Sequence, residues 1–130
     1  MRMKFNEATY NRPDGDRVLD APQVFIDLKE QVEILRNENA YAKNDRNGIT
    51  IFKSDRVTMV LVALHGGASL LPQEIDGLTK IQVLEGSVMF ESAQGVKQLT
   101  VNHIAVLHSN MPFNISSVGE SILLLTIFDE

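Results

Sequence analysis

The part of the chain after residue 48 consists of short apolar runs separated by short turn sequences. Two of the runs, 57–64 and 122–128, are apolar at almost every position, which is typical of strands covered on both faces. The runs are closely spaced and show no helical period. This pattern predicts an all-β fold, an antiparallel barrel or jelly roll. The predicted strands are 49–52, 57–64, 80–84, 87–91, 99–101, 104–107, 113–117 and 122–128.

The first part of the chain contains one stretch with a helical period. Leu28, Val32 and Leu35 fall on one face of a helix predicted over 28–40. Asp27 precedes this face and has the side chain of a typical N-cap, with a glutamate three residues later as in a capping box. We therefore expect a short N-terminal helix before the strands begin.

The distribution of charge also divides the chain, close to the change in hydrophobic pattern. Residues 57–130 contain Lys80 and Lys97 as their only Lys or Arg residues, whereas the preceding residues contain ten basic and ten acidic side chains. We expect an N-terminal arm and helix, 1–48, that cover a largely buried barrel formed by 49–130. The two parts together are predicted to form one structural domain.

The sequence Glu85–Gly86 separates two predicted strands and is typical of a tight hairpin turn. A two-residue turn at this place would pair the two strands directly. It would set Val88 opposite Val83 and Phe90 opposite Ile81 on one face.

Composition narrows the range of possible functions. The chain has 130 residues, 44% of them hydrophobic, and no cysteine, which excludes a disulfide scaffold and a thiolate zinc site. The net charge of −5 argues against nucleic acid or an anionic membrane as a partner. No apolar run approaches about 18 residues, and the first residues lack the apolar stretch of a signal peptide. We therefore expect a cytoplasmic protein.

The segment 67–117 resembles the double motif of the cupins. Gly67 and Gly86 stand at the two ends of the first motif with its spacing intact. The frame of the second motif fits 102–117, and the 15 residues 87–101 match the usual distance between the motifs. The chain is thus similar to small stand-alone bacterial cupins of the RmlC-like superfamily. The resemblance implies a barrel with one open mouth that is commonly dimeric.

The same resemblance places the metal-ligand positions of cupins on residues that are poor ligands. The two histidines, the glutamate and the later histidine of the family correspond here to Gln73, Ile75, Thr79 and Phe113. Two neutral oxygens and two hydrocarbon groups do not meet the needs of a catalytic divalent metal. We therefore expect no metal and no other cofactor.

Two asparagines replace family glycines in the second motif. Asn102 and Asn110 stand at positions where the resemblance implies a tight turn. Asparagine adopts positive φ more readily than most residues, so we expect both turns to persist.

Strand parity predicts which side chains line the barrel interior. On a strand, residues at every second position from a degenerate ligand position face the same side as it does, and most of these residues are apolar. The interior is then either a pocket for a small, mostly apolar or neutral molecule, or a space plugged by its own side chains. The predicted ligand-contacting residues are Gln73, Ile75, Thr79, Ile81, Val83, Phe90, His108 and Phe113.

Residues that could support catalysis are few. His65, His103 and His108 are expected at the surface or at strand ends, because His103 and His108 differ in strand parity. Metal-free cupin epimerases use a histidine base and a tyrosine acid inside the barrel, but Tyr10 and Tyr41 lie in the predicted N-terminal cover. A metal held through His103 and His108 is the other enzymatic alternative.

Three functions follow as alternatives. The first is a non-catalytic cupin that binds or senses a small molecule. The second is a cupin-type enzyme, either metal-free and isomerase-like or metal-dependent, and the third is a purely structural dimer with a plugged barrel. In each case we expect a homodimer, because strands 57–64 and 122–128 have almost no polar face to expose to water.

Overall fold

The computed structural model describes residues 21–73 and 75–129, with the backbone alone for 71–73. Residues 1–20 of the predicted arm, including Tyr10, lie outside the described residues. The described residues form two short helices followed by nine strands. These are α1 (Leu28–Asn37), α2 (Asn39–Lys43), β1 (Arg46–Lys53), β2 (Val57–Leu64), β3 (Ser69–Gln73), β4 (Leu78–Glu85), β5 (Ser87–Ser92), β6 (Gly95–Thr100), β7 (Ile104–Leu107), β8 (Phe113–Ser117) and β9 (Ser121–Phe128).

The described strands form two antiparallel sheets that face each other. The first sheet has the order β1-β2-β9-β4-β7 and the second has the order β3-β8-β5-β6. This is a jelly roll, as the pattern of apolar runs predicts. One continuous apolar cluster fills much of the space between the sheets, with Val60, Leu125 and Ile115 among its fully buried members.

Strands β2, β7 and β8 begin and end where the sequence predicts, β1, β4, β5 and β9 are one to three residues longer at one or both ends, and β3 and β6 differ most. Strand β3 was not predicted, because its sequence Ser69–Gln73 contains a proline and does not alternate. Strand β6 begins at Gly95, four residues before the predicted start. The expected turns at Asn102 and Asn110 are confirmed: these two residues have φ of 72° and 62° and are the non-glycine residues with positive φ among those described.

The hairpin predicted at Glu85–Gly86 is wrong. Strands β4 and β5 lie in different sheets, so Val88 pairs with Leu99 and not with Val83. Gly86 has φ of +78°, and a Cβ at this position would lie 2.6 Å from Ser121 Oγ. The chain therefore turns a tight corner from one sheet to the other here, in a place where no side chain fits.

The two helices cover the outer face of the first sheet. Val32 and Leu35 of α1 pack in a second apolar cluster with Leu61 of β2 and Ile122 of β9. The outward sides of the two doubly apolar strands are thus covered by the same chain. In the described part of the chain, neither helix is long and apolar enough to cross a membrane.

The predicted helix is interrupted at Glu38. Asp27 caps α1 as expected and accepts a hydrogen bond from the backbone N–H of Glu30 at 3.2 Å. At the other end, Asn47 Nδ2 donates to the Leu35 carbonyl at 3.0 Å and to Glu38 Oε1 at 2.9 Å. Asn47 thereby satisfies a carbonyl that the last turn of α1 leaves unpaired, and the chain bends into α2.

Candidate ligand site between the sheets

Most of the predicted pocket residues lie in the packed part of the interior. Ile81 and Val83 are fully buried, and Ile75 and Phe113 are 2% and 3% exposed. All four belong to the apolar cluster between the sheets. In this region the side chains of the two sheets fill the space between them.

The polar residues that were predicted to line the same pocket do not leave open space in this region. Thr79 is 2% exposed, and its hydroxyl lies 3.5 Å from the carbonyl oxygen of Gly77, to which it donates. The backbone of Gln73 pairs with Phe113 across β3 and β8, and the Gln73 side chain lies outside the described part of the structure. His108 is exposed, just after the end of β7.

The positions that correspond to the metal ligands of cupins do not fit a metal. Ile75 and Phe113 offer no donor atom, and the Thr79 hydroxyl is neutral and faces a backbone carbonyl. Divalent transition metals are held in proteins by imidazole, thiolate or carboxylate groups. Over residues 21–73 and 75–129, no three His, Asp or Glu side chains are grouped so that they could hold a metal ion.

The structure does not bring the three histidines together. His103 lies in the turn between β6 and β7, where its Nδ1 accepts a hydrogen bond from the Thr100 backbone N–H at 2.9 Å. His108 follows β7 at the opposite end of that strand. His65 stacks on the Tyr41 ring, with centroids 3.8 Å apart, outside the space between the sheets. A metal or acid–base pair built from His103 and His108 has no geometric support here.

Tyr41 fastens the helices to the sheet. Its hydroxyl donates to Glu120 Oε1 at 2.9 Å, and its backbone carbonyl lies 2.7 Å from His65 Nε2. Burial first, and then the hydrogen bond to Glu120, raise the pKa of Tyr41 to about 12. A second contact, the ion pair of Arg36 with Glu85 at 3.0 Å, joins α1 to the end of β4.

An open cleft lies beside the packed region, between the free edges of the two sheets. In the described part of the chain, β6 and β7 each pair with a single strand, and the sheets separate between them. The cleft has a volume of about 490 Å³, which falls in the range of small-molecule sites. It is lined by Phe90, Ser92, Gln94, Gly95, Val96, Lys97, Leu99, Ile104, Ala105, Val106, Leu107 and Met111.

Lys97 lies on the inner side of β6. Residues directly opposite each other on paired strands share a face, and the register pairs Val88 with Leu99 and Phe90 with Lys97. Val88 and Leu99 are buried in the cluster between the sheets, and Phe90 packs against it. Lys97 therefore starts from the interior face and reaches the mouth of the cleft, where it is exposed.

Sequence reasoning identified Phe90 and missed the other residues that line the cleft. The sequence predicts a strand that begins at 99, so Val96 and Lys97 fall outside it and have no predicted face. The separation of β6 from β7 also depends on which sheet each strand joins, and local patterns do not specify this. The sequence does contain a signal for the earlier start of β6, because Gly95–Thr100 directly follows the Ala93–Gln94 turn.

Solved structures resemble this chain, although no family model and no curated protein matches its sequence. A cupin superfamily protein from Desulfitobacterium hafniense DCB-2 is 20% identical with a TM-score of 0.65, covering 67% of this chain and 80% of that protein. A cupin-2 domain containing protein from Shewanella frigidimarina NCIMB 400 is 12% identical with a TM-score of 0.65, covering 79% and 93%. A conserved protein of unknown function from Streptococcus pyogenes is 13% identical with a TM-score of 0.65, covering 88% and 93%. The chain therefore has the cupin fold, as its sequence predicts.

Proposed function

We propose that this cupin-fold protein is a non-catalytic, metal-free module that binds a small, mostly apolar molecule in the cleft between β6 and β7. The observation that carries the proposal is the cleft itself, about 490 Å³ of space beside a packed apolar cluster. Its walls include Leu99, Leu107 and Met111, which offer apolar surface to a ligand.

The chemistry of the lining favours binding over catalysis. Among the described residues that line the cleft, Lys97 is the single titratable side chain. General acid–base catalysis requires positioned groups that give and take protons near neutral pH, most often histidine or a carboxylate. None of the lining residues is of that type, and the degenerate ligand positions argue against metal chemistry.

Isothermal titration with a neutral apolar probe, 2-naphthamide, tests the proposal. We expect the wild-type protein to bind the probe, and Ala105→Phe, which fills the cleft, to weaken binding at least about tenfold because the probe loses its space. Met111→Trp narrows the cleft from another wall and is expected to act in the same direction. Ala42→Phe, an equal change on the exposed side of α2, is the matched control and leaves binding unchanged.

Two results would overturn the proposal. One is the absence of any binding by the wild-type protein. The other is binding by Ala105→Phe and Met111→Trp that equals the wild type while circular dichroism shows both variants folded. In either case the cleft is not the binding site, and a structural role for the barrel becomes the better explanation.

We also propose that the protein forms a homodimer through barrel strands. The support is the exposure of apolar side chains on the free edges, where Val96 and Val106 are 59% and 60% exposed. Native mass spectrometry of freshly purified protein reports the oligomer, any metal and any retained small molecule in one spectrum. A monomer mass at micromolar concentration argues against the dimer, and one metal per chain argues against the metal-free assignment.

A further inference from the structure

The cleft combines apolar walls with one positively charged side chain. Of the two lysines in residues 57–130, Lys80 lies on β4 opposite Thr126 and Val106, on the outward side of the first sheet. Lys97 lies on the inward side of β6 and lines the cleft. The site therefore carries a positive charge within a chain whose net charge is −5.

No Asp or Glu among the described residues lines the cleft. Glu91 follows Phe90 on β5 and pairs with Val96 and Asn114, so it lies on the opposite face from Lys97. Asp76 accepts a hydrogen bond from Ser109 Oγ at 3.2 Å in the loop before β4. Within residues 21–73 and 75–129, no hydrogen bond or ion pair of the Lys97 ammonium is present.

The polar residues of the cleft all lie on its β5–β6 side, together with Phe90 and Leu99, and its β7 side is apolar. Ser92 and Gln94 lie in the β5–β6 hairpin close to Lys97, and the Gln94 backbone N–H donates to Ser92 Oγ at 3.2 Å. Leu107 on β7 and Met111 after it form the facing apolar wall. A ligand that satisfies both sides has an anionic group at the β6 end and an apolar body that extends toward β7.

We propose that the cleft selects small amphipathic carboxylates, in which an aromatic or short alkyl body carries one carboxylate that pairs with Lys97. This inference rests on the proposed binding function and adds the chemical class of the ligand to it. A carboxylate gains a charge-assisted hydrogen bond from the lysine, which a neutral amide of the same shape gains only in part.

Two probes of the same shape test the carboxylate preference separately from the binding function. We expect the wild-type protein to bind 2-naphthoate at least about threefold more tightly than 2-naphthamide at low salt, a modest ratio because the lysine is exposed. Lys97→Met keeps the apolar stem and removes the charge, so the two probes should bind this variant equally. Lys80→Met is the control lysine variant and keeps the preference. Added salt should reduce the preference in the wild type because it screens the charge.

Each outcome decides between the alternatives. Equal binding of both probes by the wild type, or a preference that survives Lys97→Met, overturns the carboxylate inference and leaves the binding function in place. Failure of both probes to bind overturns the binding function and the inference together. A naphthoate preference that is lost in Lys97→Met and kept in Lys80→Met establishes both.

Discussion

The interior of this protein has a closed region and an open region, and they differ in which strands form them. The closed region lies between β4 and β8, each of which pairs with a strand on both sides. The open region lies between β6 and β7, the edge strands on one side of the sandwich. Strands held on both sides bring their inward side chains into contact across the sandwich, and edge strands allow the sheets to part. Ile75, Thr79 and Phe113, which the sequence resemblance matches to metal-ligand positions, lie in the closed region, and the open space lies at the edge.

The largest expected effect is at Phe113 in the closed region. Phe113→Ala leaves a cavity in packed surroundings and should lower the free energy of unfolding by about 3–5 kcal/mol. Phe90→Ala is the matched change beside the open region and should cost less, about 1–2 kcal/mol, because its ring is only partly buried. The two rings stack with centroids 5.8 Å apart, so both variants lose that contact and it cancels in the comparison. Urea unfolding measures both, and equal losses would show that the two regions do not differ in packing.

A pH-dependent effect is expected on the side covered by helices. The pKa of Tyr41 is raised from 10.0 to about 12 in the folded protein, so the stability it contributes is complete below pH 10 and is lost as the pH rises toward 12. Tyr41→Phe removes this titration, so the stability difference between wild type and variant should shrink over that range. Urea unfolding between pH 9 and 12 measures it, and a constant difference would contradict the prediction.

Enlarging an alanine should destabilise the protein in the closed region and be tolerated in the open region. Ala68 is 2% exposed within the apolar cluster, and Ala68→Leu should cost about 1–3 kcal/mol through overpacking. Ala105 lines the cleft, and Ala105→Leu should change stability by less than about 0.5 kcal/mol because the added atoms enter open space. Thermal unfolding of the pair measures the contrast. If Ala105→Leu were the more damaging of the two, the cleft would not be open in solution.

The smallest expected effect on stability is at Lys97. Its side chain is exposed, and within the described residues it forms no ion pair, so Lys97→Met should change the free energy of unfolding by less than about 0.5 kcal/mol. Urea unfolding at neutral pH measures this. A larger loss would indicate that the lysine supports the fold, and a changed ligand affinity in this variant could then not be assigned to lost charge pairing.

Much of the fold could be predicted because it depends on local pattern. The apolar run 57–64 matches β2 at both ends, and Asn102 and Asn110 adopt the positive φ expected from their chemistry. The hairpin at Glu85–Gly86 could not be judged correctly, because a glycine turn between two strands looks the same whether the strands pair or diverge into two sheets. The burial of Thr79, Ile81 and Val83 on β4 agrees with strand parity, but the position of the cleft depends on which strands are edges, a property of the whole topology.

The place of β9 in the first sheet sets the order in which this protein can fold. β9 lies in the middle of that sheet, where its Leu125 pairs with Val60 of β2. In the sequence, six other strands lie between β2 and β9. Such pairing between distant parts of a chain is slow to form, because a long loop must close before any contact is gained. During synthesis, β2 and β4 have no partner between them until residues 121–128 have left the ribosome. The first sheet is therefore completed only after β9 is available, and until then the facing edges of β2 and β4 lack their partner strand.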